Sequence, residues 1–369
     1  MKICHLTTVD STLVFQLGEQ INLLHERGFE VIGIAAPGEY GDDIETLPLQ
    51  FVPIKTLTRR WSLRQDLRTA SELWRLLSGL DLDVLHCHTP KAGVLGRVVG
   101  RLRRVPIVAN TCHGLIATDH DSFLKRFFVV SIESVASLFS HVELFQNPED
   151  MKKLRFATGK RATYLGNGID LTRFSFNPEG RKRVRDELGL GEKDLLVGGV
   201  GRRVAEKGII EFAGAARSLS NWASFIWVGP TDSEKSDVVA VDLPGLTFLG
   251  ERRDMPDVYS ALDIFVLPSH REGFPRSAME AAACGRPLIL TDIRGCRQIS
   301  DSGTDVILVP PSDEPALTAA IKDLLDSPSR RQELGTNIET KAKAEFDVTR
   351  VVEVTLSAYE VAQSRKRRK

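Results

Sequence analysis

The sequence predicts an α/β protein built from two Rossmann-like, doubly wound parallel sheets. Three observations carry that prediction. Short apolar runs alternate with stretches of helical periodicity along nearly the whole chain, the pattern of repeated β-α-β units. The alternation stops and restarts once, at Gly166, Asn167 and Gly168, where two glycines interrupt it. At 369 residues the chain is long enough for two domains with separate cores.

In the first series, strands are predicted at 3–8, 31–36, 84–88, 107–111 and 142–145, and 163–165 closes it. Each is a short, nearly continuous apolar run, as expected of a strand covered on both faces. Helical patterns fill 13–27, 66–77 and 124–138. The second series has strands at 195–200, 224–228, 246–249, 264–267, 288–291 and 306–309. Its helices fall near 209–219, 255–261, 277–284, 314–325 and 330–344. A last helix is predicted over about 349–363. The expected domains are therefore 1–168 and 169–348, followed by a terminal helical segment, 349–369. Ligands in open parallel sheets bind beyond the carboxyl ends of the strands, so motifs at those ends weigh most. Two such domains facing one another would place the site in the cleft between them.

The densest motif follows the strand at 264–267. It reads Ser269-His-Arg-Glu272-Gly273-Phe274-Pro275-Arg276-Ser277-Ala-Met-Glu280, then an Ala-rich helix. Two carboxylates, Glu272 and Glu280, flank a Gly-Phe-Pro turn. Pro275 suits the first helical position, where a missing N–H costs nothing. The N–H groups of Arg276 and Ser277 would then face a phosphate at the helix start. The ordinary alternative, a loop acid plus a solvated helix acid, explains either Glu alone but not the whole segment.

The first strand of the second series ends in Gly199-Val200-Gly201-Arg202-Arg203-Val-Ala-Glu206-Lys207-Gly208. Its glycines would let a ligand approach the backbone. Arg202 and Lys207 can converge on a diphosphate, one as a fork and one as a point charge. The order of Lys and Gly excludes a Walker A loop, and Val204 stands where a dinucleotide fingerprint needs its third Gly. In the first series, His113 follows the strand at 107–111, where a neutral imidazole could hydrogen-bond a sugar hydroxyl or a developing charge. A plain polar strand end is the competing reading.

Taken together, these segments resemble the retaining GT-B glycosyltransferases often called family 4. Glu272 to Glu280 resembles that family's Glu-x7-Glu signature, and Gly201-Arg202 through Lys207-Gly208 resembles its diphosphate-binding element. Gly295-Cys-Arg297 is similar as well, with Gln298 where a Glu is common, and Arg203 replaces an apolar residue. The loop 9–12 lacks the family's Gly-Gly. That departure, with the Gln146-Asn147-Pro148 turn, resembles the branch that builds capsular and exopolysaccharides on lipid-linked carriers. The resemblance implies the GT-B fold, with the last helix crossing back onto the first domain. It implies hexosyl transfer from a nucleotide-diphosphate sugar, a UDP-sugar foremost, to a saccharide acceptor, an undecaprenyl-diphosphate-linked one included. The catalytic set it implies is His113, Arg202, Lys207 and Glu272. The donor-binding set is Gly201, Arg202, Lys207, Gly273, Phe274, Pro275, Arg276, Ser277 and Glu280. It implies no further cofactor and no metal. Arg276 stands where smaller residues are common, so we expect it to touch a substituent of the donor sugar. The alternatives are a nucleotide-sugar-binding protein without transfer, or a same-fold epimerase or phosphorylase.

Composition sets outer limits. Basic and acidic residues balance at 49 each, so no global field calls for nucleic acid. No apolar run approaches the roughly 20 residues of a membrane span. Five cysteines without paired short spacings read as reduced thiols, and the start of the chain reads as a strand rather than a signal peptide. The expectation is a cytoplasmic protein, peripheral on the inner face of the plasma membrane. From Lys55 to Arg104, eleven basic residues meet only four acids, and Arg365 to Lys369 are all basic. Both stretches are expected to meet an anionic membrane surface, against the alternative of solvated faces. Cys4, His5, His86, Cys87, His88, Cys112 and His113 invite a zinc hypothesis. Alternation argues against it, since His86 and His88 share one strand face and Cys87 takes the other.

Overall fold

The computed structural model describes residues 1–117, 121–231, 237–239, 243–300 and 304–367. Two compact units divide the chain: Met1–Asn167 with Val348–Lys369, and Gly168–Asp347.

The N-terminal unit runs β1 (Lys2–Val9), α1 (Asp10–Phe15), α2 (Gly18–Glu26), β2 (Glu30–Ala36), α3 (Gly41–Glu45), β3 (Gln50–Pro53), α4 (Leu63–Gly79), β4 (Val84–His88), α5 (Pro90–Leu102), β5 (Ile107–Cys112), α6 (Phe123–Ser137), β6 (Val142–Phe145), α7 (Pro148–Thr158) and β7 (Ala162–Tyr164). Its seven strands are all parallel, in the order β3-β2-β1-β4-β5-β6-β7. The reversal beside β1 sends successive crossovers to opposite faces. One face is covered through Leu73 and Leu77 of α4 and Ala92 and Val99 of α5.

The second unit runs α8 (Pro178–Glu187), β8 (Leu196–Val200), a 3-10 turn (Ala205–Lys207), α9 (Ile209–Leu219), β9 (Ser224–Val228), β10 (Thr247–Gly250), α10 (Met255–Ala261), β11 (Ile264–Leu267), α11 (Arg276–Ala283), β12 (Leu288–Thr291), β13 (Val306–Val309), α12 (Glu314–Asp326) and α13 (Pro328–Glu345). Its six parallel strands follow the order β10-β9-β8-β11-β12-β13. The last helix, α14 (Val348–Arg367), packs on the N-terminal unit, where Val351, Val352, Tyr359 and Ala362 join α1 and α2 over the second face of the sheet.

Several expectations change. The single helix expected over 13–27 is two, broken at Gln16 and Leu17 ahead of Gly18. The segment 9–12, expected as a loop, is the end of β1 and the start of α1, where the Asp10 carboxylate accepts the N–H of Ser11 at 2.7 Å and of Tyr40 at 3.3 Å. Strand β3 and helix α8 had no signal in the reading above. β3 is a short edge strand ending in Pro53, and α8 is dominated by charged residues rather than an apolar stripe.

The basic stretch from Lys55 to Arg104 does not form one face. Lys91 is buried against Asp66, and Arg97 is buried between Glu133 and Glu143. Arg59, Arg60, Arg64 and Arg68 lie on the loop before α4 and on its first turns, at the carboxyl end of the sheet. Arg101, Arg103 and Arg104 lie where α5 returns to the amino end. Arg365 and Arg367 are also at the amino end. Arg365 donates to the Lys160 carbonyl just before β7, and Arg367 lies beside Met1, Asp83 and Pro106 at the strand starts. Arg368 and Lys369 lie outside the described residues.

Candidate active site

In the second unit, β8 and β11 are neighbours, so the two motifs meet at their carboxyl ends. Gly208 makes the meeting possible. Its φ is 71°, and a Cβ there would stand 2.0 Å from the Pro268 carbonyl oxygen. The turn before α9 can therefore lie directly on the end of β11. Lys207 donates from Nζ to Glu272 Oε1 at 2.6 Å, with side chains only 17% and 12% exposed. Beside this pair, Arg271 bonds both oxygens of Glu206, at 3.1 and 2.9 Å. His270 contacts Glu211 at 2.8 Å, and that hydrogen bond holds the imidazole pKa above its ordinary value.

Pro275 takes the position just before α11, not its first helical residue, and Arg276 and Ser277 open the helix. Phe274 is buried edge-on against Phe346, 5.9 Å between centroids, which anchors the turn. Glu280, one turn into the helix, accepts from Tyr259 at 2.7 Å on Oε2 and from Arg276 Nε at 3.2 Å on Oε1. Arg276 also reaches the Gly168 carbonyl at 3.4 Å. In this structure Arg276 therefore steadies Glu280. Tyr259 had no sequence signal, because it lies on α10 within an apolar pattern and reads as core. Burial beside Glu280 pushes its hydroxyl pKa well up, which keeps it a donor.

Arg202 sits at the tip of β8, and the Gly201 carbonyl there accepts from the Trp227 indole at 2.8 Å. Gly199 is needed for packing, since a Cβ would lie 2.6 Å from the Trp227 ring. Arg203 stacks on Phe248, 3.8 Å from the ring centroid.

The carboxyl end of the N-terminal sheet has a different chemistry. Register pairs His5 with His86 across β1 and β4, and alternation adds His88 to the same face. Alternation, which argues against a zinc site shared by His and Cys, places these three histidines on one face. Their nearest ring nitrogens lie within 4.8 Å of one another. His5 Nδ1 meets His88 Nε2 at 3.0 Å, and His88 Nδ1 meets His113 Nε2 at 2.9 Å. The Gln146 side chain hydrogen-bonds His113 as well. His86 is held by Thr111 at 2.7 Å and by the Tyr359 hydroxyl at 2.6 Å. His5, His88 and His113 make a hydrogen-bonded chain ending at His113, and His86 packs beside it, 4.2 Å from the His88 ring between centroids. Burial lowers the pKa of all four, to about 4 for His5 and His113, so the chain is neutral near pH 7. Thr89, next to His88, is held at φ 63°, with its hydroxyl 2.7 Å from that of Thr8. For a β-branched residue at a strand end that is a strained conformation. Neither threonine carries a sequence signal.

The model of the family described as glycosyl transferases group 1 matches residues 194–327, and that of the glycosyl transferase 4-like domain matches 14–143. The chain is 31% identical over 293 residues to the putative teichuronic acid biosynthesis glycosyltransferase TuaC of Bacillus subtilis, covering 76% of this chain and 71% of that one. It is 26% identical over 352 residues to the N,N'-diacetylbacillosaminyl-diphospho-undecaprenol alpha-1,3-N-acetylgalactosaminyltransferase of Campylobacter jejuni, covering 92% and 93%. Among solved structures, HepE of Anabaena in complex with UDP and glucose superimposes with a TM-score of 0.80 at 20% identity, covering 98% and 99% of the two chains.

Proposed function

The chain belongs to the group 1 glycosyl transferases, and from that premise we propose that it is a retaining enzyme that uses a UDP-sugar. It moves a hexose or N-acetylhexosamine to a hydroxyl of a saccharide carried on a lipid diphosphate. The observation that carries this reading is the Lys207–Glu272 pair at the joined ends of β8 and β11, with Glu280 one turn into the helix that follows. Support for the substrates comes from the relatives and neighbours. The Campylobacter protein is named for an undecaprenol diphosphate substrate, and the HepE complex holds UDP.

In the transfer, the bond from sugar C1 to the diphosphate oxygen breaks, and a bond from C1 to the acceptor oxygen forms on the same face. The acceptor proton passes to the leaving phosphate. Charge builds on the diphosphate, and stabilising it is the main catalytic demand. Lys207 and Arg202 supply that stabilisation. An incoming diphosphate competes with Glu272 for Lys207 and leaves Glu272 to accept from sugar hydroxyls. Glu280, with one donor already on each oxygen, keeps lone pairs for the two ribose hydroxyls. The backbone at Gly273, Phe274, Pro275 and Ser277 shapes the phosphate side of the turn. His113 supplies a neutral hydrogen-bonding group for a sugar hydroxyl.

The test is a donor panel of UDP-, GDP- and ADP-sugars. Nucleotide release is followed with and without a detergent-solubilised undecaprenyl-diphosphate saccharide, and the anomer of the product is read by NMR. Release from one UDP-sugar, dependent on the lipid saccharide and giving the donor's anomeric configuration, is expected. Release from a GDP- or ADP-sugar, or an inverted product, overturns the corresponding part.

A further inference from the structure

Helix α6 leaves most of its apolar residues outside. Its inward side carries Val129 and Val130, packed on the cluster of Leu115, Phe145 and Leu154, with Glu133, which ion-pairs with buried Arg97, and with Ala136 and Ser137. Its outward side carries Phe123, Leu124, Phe127, Phe128, Ile132, Val135 and Leu138, all exposed, with Phe123 at 77%. Residues 122–128 are exposed without interruption, so the first turns of the helix stand clear of the unit. An amphipathic helix of a globular protein turns its apolar face the other way. A contiguous exposed apolar patch of this kind marks an interaction surface.

A second protrusion repeats the pattern. Residues 58–64 are also continuously exposed, and Trp61, Leu63 and Leu67 project there, Leu63 at 80%. Helices α4 and α6 follow strands of one parallel sheet, so both begin at its carboxyl end, and α5 packs against each of them. His113 and Thr89 stand at that same end. Exposed cations surround the apolar tips: Arg59, Arg60, Arg64 and Arg68 at one, Lys125 and Arg126 at the other.

We infer that this rim of the N-terminal unit docks on an anionic lipid bilayer, with Trp61, Leu63, Leu67, Phe123, Phe127 and Phe128 entering the interface and the surrounding cations meeting the headgroups. Aromatic and aliphatic tips ringed by Arg and Lys are the composition of an interfacial anchor. A second copy of the chain fits less well, because a two-fold contact would press the two cationic rings together. The basic groups at the amino end of the sheet take no part, since one flat surface does not reach both ends. This inference deepens the proposed reading and rests on it, because the rim that carries His113 then lies where a lipid-linked acceptor is held.

The test is co-sedimentation of the full chain with vesicles of phosphatidylglycerol and phosphatidylcholine, or of phosphatidylcholine alone. Wild type is expected on the anionic vesicles, less so at high salt. Phe127→Ser with Phe128→Ser should weaken binding roughly a hundredfold, and Arg60→Glu with Arg64→Glu roughly tenfold. UDP binding should be unchanged in both, which shows that they fold. Absence of wild-type binding, or unaltered binding by both folded variants, overturns the inference. So does a Phe variant that turns a dimer into a monomer and binds vesicles as before. Transfer to a detergent-solubilised lipid saccharide without vesicle binding would sink the docking alone. Vesicle binding without transfer would sink the functional reading alone.

Discussion

The carboxyl ends of the two sheets share an architecture and differ in electrostatics. In the second unit, side chains at the strand ends are charged and paired: Lys207 with Glu272, Arg271 with Glu206, Arg276 with Glu280. In the N-terminal unit those that link to His113 and Thr89 are imidazoles and threonine hydroxyls, neutral and bonded to one another. An ion pair is a cation site already filled by an internal anion, and a diphosphate can take that anion's place. A buried neutral chain offers donors and acceptors without charge, which suits sugar hydroxyls. If Lys207 holds the diphosphate and His113 a sugar hydroxyl, as proposed, one fold serves two recognition tasks through side chains alone.

The largest break in this comparison is expected from Lys207→Ala. Donor turnover should fall roughly 100- to 1,000-fold, about 3–4 kcal/mol of barrier, if Lys207 stabilises the leaving group. His113→Ala should cost roughly tenfold, as befits a neutral hydrogen bond. Steady-state kinetics on the two variants decides the matter, and equal losses would erase the asymmetry.

Acid separates the units next. His5 titrates at about 4 when folded and near 6.5 when unfolded, so the unfolded chain binds the extra proton between those values. Its contribution to stability is complete above pH 6.5 and falls by about 3 kcal/mol as the pH drops to 4, and His86 and His88 act in the same direction. His270 in the second unit has the opposite sign. Its pKa is raised by Glu211, so its contribution is present below pH 6.5 and is lost as the pH climbs through the raised value. Urea unfolding at pH 7.5, 6.5 and 5.5 should show the N-terminal unit weakening first, and a uniform response would contradict the neutral chain.

Gly208→Ala tests the joint between the two motifs of the second unit. A side chain at that φ, pressed on the Pro268 carbonyl, should cost about 2–3 kcal/mol and weaken UDP binding together with stability. Calorimetry that found UDP binding intact would show that the meeting of β8 and β11 is not what shapes the site.

What could be read from sequence follows the same divide. The second unit's residues were legible because Gly201 to Gly208 and Glu272 to Glu280 are contiguous segments, each placed by one strand and one helix. The crowding of His5, His86, His88 and His113 was legible too, but its bonding was not, because that needs the pairing of β1 with β4 and, for His86, the return of Tyr359 on α14, contacts spanning up to 273 positions. The strands were legible as apolar runs, while β3 and α8, lacking such runs, were not. Helix α6 was found, but periodicity says only that a helix has an apolar side, not that the side faces the core.

The smallest expected effect probes the long-range contact itself. Tyr359→Phe keeps the ring, which is buried among Val351, Val352 and α2, and removes only the hydroxyl bonded to His86. That leaves His86 Nδ1 without its partner, at a cost of about 1–2 kcal/mol. His86 uses both ring nitrogens on Thr111 and Tyr359, and it meets the chain from His5 through His88 to His113 by ring packing, its centroid 4.2 Å from that of His88. If that packing couples His86 to the chain, Tyr359→Phe should shift the His113 ring signals in a histidine-labelled NMR spectrum while leaving those of His270 in place. A change confined to His86 would mean that the imidazoles are neighbours that happen to touch, each held by its own strand.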